Sequence, residues 1–144
     1  VHNAAAGYWT IGAGTHAPAT AISAFHGSFA QGLLEALTQL ATGTPEVLLV
    51  GYDSQSVGPL GRISHSQGLL GAALVLSAQG EGLALRAALG TGGADRAPAG
   101  PLETLAAGNA MAPMLPLFDA LAQGAAHCHL DAGHGAVLQV EIAR

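Results

Sequence analysis

The stretch from Ser28 to Thr42 constrains this chain more than any other. Phe29, Leu33, Leu34, Leu37 and Leu40 recur at helical spacing, with Gln31, Glu35, Thr38 and Gln39 between them. That pattern is a helix with one apolar stripe that has to be covered. Gly43 stands where the helix C-cap belongs. On the N-terminal side, Ala19-Thr20-Ala21-Ile22-Ser23-Ala24 reads as a buried strand between Pro18 and Gly27. On the other side, Glu46 leads into Val47-Leu48-Leu49-Val50, a continuous apolar run expected of a strand covered on both faces. Strand, helix and strand in that order predict a right-handed crossover and a parallel pair. His26 lies at the joint between the first strand and the helix, and Gly27 permits a tight entry.

The remaining chain is read around this unit. Asn3 caps a short helix through Ile11, ended by Gly12 and Gly14, with Tyr8 and Trp9 expected to pack on the sheet. Asp53 to Gln67 is a polar loop with Gly58, Pro59 and Gly61. Leu69 to Ser77 is a third strand and Leu83 to Leu89 a fourth, joined by a turn at Gln79-Gly80-Glu81-Gly82. Gly90 to Pro101 is a loop or linker. Leu102 to Ala107 and Met114 to Ala122 are helical, with Pro113 and Pro116 tolerated at the first turn of the second. Ala126 to Leu130 and Ala136 to Ile142 form a closing hairpin. The expectation is a single layered α/β domain over residues 1–144.

With 144 residues, half of them apolar, such a chain buries one core and removes roughly two thirds of its unfolded surface from water. Four basic against nine acidic residues supply no positive field for a phosphate backbone, which argues against nucleic acid as a main partner. Few charges and many small apolar residues suggest a surface partly covered by another subunit. Cys128 is the single cysteine, so no internal disulfide is expected, and a reducing cytoplasm fits. Every long apolar stretch is broken well before the ~20 residues that span a bilayer. The abrupt entry at Val1, straight into helical signal, is expected of a chain that lacks its N-terminal portion.

Asn3, Gly7, Ala17-Pro18, His26, Gly43 and Val47 to Gly51 stand in the order of a pattern found in thiolase-fold condensing enzymes, with Gly71-Ala72-Ala73-Leu74-Val75-Leu76 similar to their next strand. Four phrases sharpen the match: Val1 to Trp9, Ser28 to Ala36, Val47 to Asp53 and Pro113 to Leu117. Through them the chain resembles the β-ketoacyl synthase-like N-terminal domain proteins found among pigment and polyketide-type lipid genes. The resemblance implies a layered thiolase-like half and places His26 where condensing enzymes hold their nucleophilic cysteine. It also implies a dimer in which Ala19 to Ala24 pairs across the axis.

An imidazole cannot hold an acyl chain as a reactive thioester does. The second half from which full synthases draw their malonyl-activating pair is also not found after Leu89. The resemblance therefore implies a catalytically reduced, chain-length-factor-like subunit that pairs with a ketosynthase or with itself and meets an acyl carrier protein, in fatty acid, polyketide or aryl polyene-type lipid biosynthesis. The alternative is an enzyme in which His26 assists acyl transfer or decarboxylation of a carrier-bound substrate, since a helix N-terminus favours an anion beside it. No cofactor is implied.

Three other clusters read more plainly. His127, His129 and His134, with Cys128 and Asp131 between them, have zinc-ligand chemistry, yet one hairpin rarely supplies a full shell, and an exposed His-rich turn is the simpler reading. Gly12-Ala13-Gly14-Thr15-His16-Ala17 imitates a dinucleotide fingerprint but is followed by Pro18 rather than a helix, so it is a turn. His65, between Ser64 and Ser66, is expected in a solvated loop.

Overall fold

The computed structural model describes residues 3–91 and 98–144. In chain order they form α1 (Ala4–Ala13), a 3-10 turn (Phe25–Gly27), α2 (Ser28–Ala41), β1 (Glu46–Ser54), a second 3-10 turn (Gly58–Arg62), β2 (Leu69–Ser77) and β3 (Ala84–Thr91). There follow α3 (Pro101–Leu105), a third 3-10 turn (Ala112–Met114), α4 (Leu115–Gln123), β4 (His127–Gly133) and β5 (Ala136–Ala143). One sheet pairs β1 with β2; the other has the order β3-β5-β4.

The apolar stripe of α2 organises the molecule. Phe29, Ala30, Leu33, Ala36 and Leu40 are buried on one face of the helix. A single core joins most of that face to Met114, Leu115 and Leu117 around α4 and to Leu130, Leu138 and Val140 of the second sheet. Leu49 of β1 and Leu70, Ala72, Leu74 and Leu76 of β2 pack against the same core from the other sheet. The helix ends as its sequence predicts: Gly43, at φ +108, donates to the Leu40 carbonyl and Thr44 to the Gln39 carbonyl, a Schellman motif that satisfies two orphan carbonyls.

Two expectations about the strands are corrected. Ala19 to Ala24 is in neither sheet. A strand exists through its ladder, and an open groove, walled by this segment and by β1, stands where the ladder would be. The parallel crossover pair therefore does not form, and β1 instead pairs antiparallel with β2 in unbroken register from Glu46 opposite Ser77 to Ser54 opposite Leu69. Nor is β1 covered on both faces. Val47, Leu49 and Gly51 turn toward the core, while Leu48, Val50 and Tyr52 each keep about half of their surface exposed. Leu69 and Val75 of β2 are exposed as well.

The helix at the N-terminal end differs too. It runs through Gly12 and stops at Gly14, and Asn3 makes no side-chain capping bond. Tyr8 and Trp9 are 77% and 61% exposed, so they do not pack on the sheet. The helix is apolar nearly all round, with no polar face to set its orientation against a core. β3 does not continue the first sheet but crosses to pair antiparallel with β5. The linker expected over Gly90 to Pro101 is shorter: β3 continues through Thr91 and α3 begins at Pro101. Part of that stretch, 92–97, lies outside the described residues.

α3 depends on a cap from a distant helix. The buried Asp119 carboxylate on α4 accepts the Leu102 amide at 3.0 Å and the Glu103 amide at 3.1 Å, satisfying two free donors of the first turn. Asp119→Ala leaves both without this acceptor and is expected to cost about 2 kcal/mol. Urea unfolding with an unchanged slope and a lowered midpoint would show it.

Candidate functional site

His26 sits in the 3-10 turn at the entrance of α2, and the local chemistry explains how that turn is held. Ser28 Oγ accepts the Ala24 amide at 2.8 Å and donates to the Phe25 carbonyl at 2.7 Å, closing the chain over His26. Gly27 is buried flush against the backbone of Ala132 on β4, and Gln31 Nε2 donates to the Ala132 carbonyl at 2.9 Å. The entrance of α2 is thus fastened to the second sheet. Phe25 occupies the left-handed region at φ +50 with its side chain 91% exposed. A non-glycine residue in that conformation costs of order 1 kcal/mol or more, and such strain gathers at functional sites.

A groove of about 1880 Å³ opens in front of this turn. Its walls are α1, the stretch from Ala17 to Ser23, the start of α2, the stretch Leu48 to Asp53 of β1, and the loops holding Ile63 to His65 and Gly108 to Pro113. His26 and His65 both line it and both are exposed. Among the described residues no hydrogen bond joins them; His65 Nε2 instead meets Gln67 Nε2 at 3.1 Å.

His65 is exposed in a loop, as expected, and the residues that follow it tie that loop down. Ser66 is buried, its Oγ accepts the Ala110 amide at 3.0 Å, and Asn109 Nδ2 donates to the Gln67 carbonyl at 2.9 Å. Tyr52, Asp53 and Asn109 are groove residues that sequence reasoning missed. Tyr52 and Asp53 belong to β1, which continues to Ser54 into the stretch expected to be a loop from Asp53, and nothing in the local sequence marks Asn109.

The single cysteine is elsewhere. Cys128 lies on β4, half-buried against the core, and burial pushes its thiol up to about 11. A thiolate nucleophile is therefore scarce near neutrality. Cys128 is expected to react with maleimide far more slowly than an exposed thiol at pH 8, with a rate that keeps climbing toward pH 11; a plateau below pH 9 would contradict this burial.

The histidine cluster is divided by its hairpin. His127 and His129 share the outer face of β4, whereas Cys128 packs toward the core and Asp131 Oδ1 is taken by the Gly133 amide at 2.8 Å. His134 sits in the tight turn at φ +53. Among the described residues no group of three or more His, Cys, Asp or Glu is arranged to hold a metal ion. The glycine-rich Gly12 to Ala17 is the end of α1 and the turn after it. No helix among the described residues is long and apolar enough to cross a membrane.

Comparison with known proteins places this architecture. No curated protein matches the sequence. A solved structure described as a ketosynthase (ApeO) in complex with its chain length factor (ApeC), from Xenorhabdus doucetiae, superposes with a TM-score of 0.69 at 24% identity. The alignment covers 98% of this chain and 54% of that one, so the two share the layered ketosynthase-like, thiolase-type α/β fold, and this chain spans about half of the neighbour's length. The family model for the beta-ketoacyl synthase N-terminal domain matches residues 1–136. On that match, over nearly its whole length, this chain belongs to the beta-ketoacyl synthase N-terminal domain family.

Proposed function

We propose that this protein is a ketosynthase-like subunit without condensing activity of its own, serving as a chain-length-factor-like partner of an active ketosynthase in fatty acid, polyketide or aryl polyene-type lipid biosynthesis. The observation that carries the reading is the entrance of α2. The side chain presented there is the His26 imidazole, and the sole thiol of the chain is half-buried on β4 with its acidity suppressed. Condensation needs an accessible thiolate to carry the acyl group.

The uncovered outer face of β1 and β2 supports a partner. Leu48, Val50, Tyr52, Leu69 and Val75 form an exposed apolar surface of the kind that marks association. The neighbouring structure, of a ketosynthase with its chain length factor, suggests which kind of partner covers such a subunit. Acyl carrier protein would then meet the assembled pair. Co-expression of the full-length protein with a ketosynthase from the same gene neighbourhood should give a complex that co-purifies; recovery of the two as separate species would count against the reading.

The placement of His26 and His65 on one groove favours a second reading, in which His26 assists acyl transfer or decarboxylation of a carrier-bound substrate. That reading requires turnover of acyl or malonyl carrier by the protein alone and its loss in His26→Ala.

A further inference from the structure

Two histidines on the outer face of the second sheet lie outside the groove. Side chains alternate along β4, so His127 and His129 project together, while Cys128 and Leu130 pack into the core. Their rings are tilted by 45° with centroids 6.4 Å apart, and both residues are exposed. Their backbone is fixed by regular pairing with β5 from His127 to Asp131, in which His127 stands opposite Glu141 and His129 opposite Gln139. Arg86 of β3 meets Glu141 from the other flank at 3.8 Å.

We propose that His127 and His129 form a two-imidazole chelate for a divalent transition cation of the zinc type. Imidazole is a preferred ligand of these ions, with metal–nitrogen bonds of about 2.0–2.1 Å. Two rings on one tetrahedral ion would have centroids roughly 5 Å apart, so the observed pair closes by a little over ~1 Å. Rotation of two exposed side chains supplies that movement, and the strand that carries them does not need to shift. Water fills the remaining positions. Because the hairpin is held by its register and its buried face, the cation binds a formed surface and is not needed for folding, unlike a structural zinc centre.

Titration of the protein with Zn2+, followed by calorimetry and by histidine ring signals in NMR, tests this. One equivalent is expected to bind, with the His127 and His129 rings shifting together. His127→Ala and His129→Ala, both at exposed positions, should retain the native circular dichroism and each weaken binding by about tenfold or more, because the chelate becomes a single ligand. His16→Ala, at an exposed histidine far along the chain, should bind as the natural protein does. Undiminished binding in both strand variants, no ring shift at about millimolar Zn2+, or loss of binding in His134→Ala alone would overturn the proposal.

Discussion

Gly27→Ala is expected to lower the unfolding free energy by about 3 kcal/mol, at the upper end of what overpacking usually costs. The backbone at Gly27, with φ −82 and ψ −1, is open to alanine, so conformation is not the obstacle. The added Cβ would lie 2.6 Å from the carbonyl carbon of Ala132, 2.7 Å from its oxygen and 2.9 Å from the Gly133 nitrogen. These are backbone atoms at the bulge of β4, and none can rotate away. Relief requires the 3-10 turn to lift from β4, which would break the Gln31 bond to Ala132 and displace His26. Gly32→Ala is the matched control. There the Cβ meets only Leu49 Cδ1, at 3.2 Å, and replacing a mid-helix glycine contributes up to about 1 kcal/mol. Urea unfolding should therefore separate the two variants clearly, with Gly32→Ala within about 1 kcal/mol of the natural protein. Equal midpoints would contradict the packing of the α2 entrance on β4.

Leu33→Ala should cost about 3–4 kcal/mol. Leu33 is fully buried on α2, the helix whose contacts join the two sheets. Removing its isobutyl group leaves a cavity among side chains of several elements, which cannot all collapse into it. Leu34, half-buried on the flank of the same helix, has less to lose, and Leu34→Ala should cost roughly half as much. Calorimetric unfolding of both variants checks the order; a larger loss at Leu34 would place the core on the wrong side of α2.

What could be read ahead of the structure follows from where the information lies. The stripe of α2 and its Gly43 terminus are set by residues within a few positions of one another, and they appear in the structure as the spacing predicts. The same holds for β2, which runs from Leu69 to Ser77 as expected, and for the existence of the β4–β5 hairpin, although β4 runs on to Gly133, past the expected end at Leu130. The failures share a different cause. Ala19 to Ala24 has strand-like composition, but a strand needs a neighbour, and local sequence carries no record of whether one stands beside it. The Val47 to Val50 run shows how apolar a strand is without showing how many of its faces are covered within this chain.

The site divides in the same way. His26 drew attention through its local place at the joint before α2, and the structure puts it in the turn there, on a groove. The opposite wall was not legible. Asp53 and Asn109 reach the groove through the extension of β1 and through long-range bonds such as Ser66 to Ala110 and Asn109 to Gln67, none of which has a local signature.

The proposed function gives this chain a ketosynthase-like scaffold without condensing chemistry. Its most direct test is product formation from acyl and malonyl carrier proteins by the full-length protein alone, by a co-expressed ketosynthase, and by the two together, each with natural His26 and with His26→Ala. The expected result is no product from this protein alone, product from the pair, and no loss of it on substituting His26. Product from this protein alone, abolished by His26→Ala, would contradict the account.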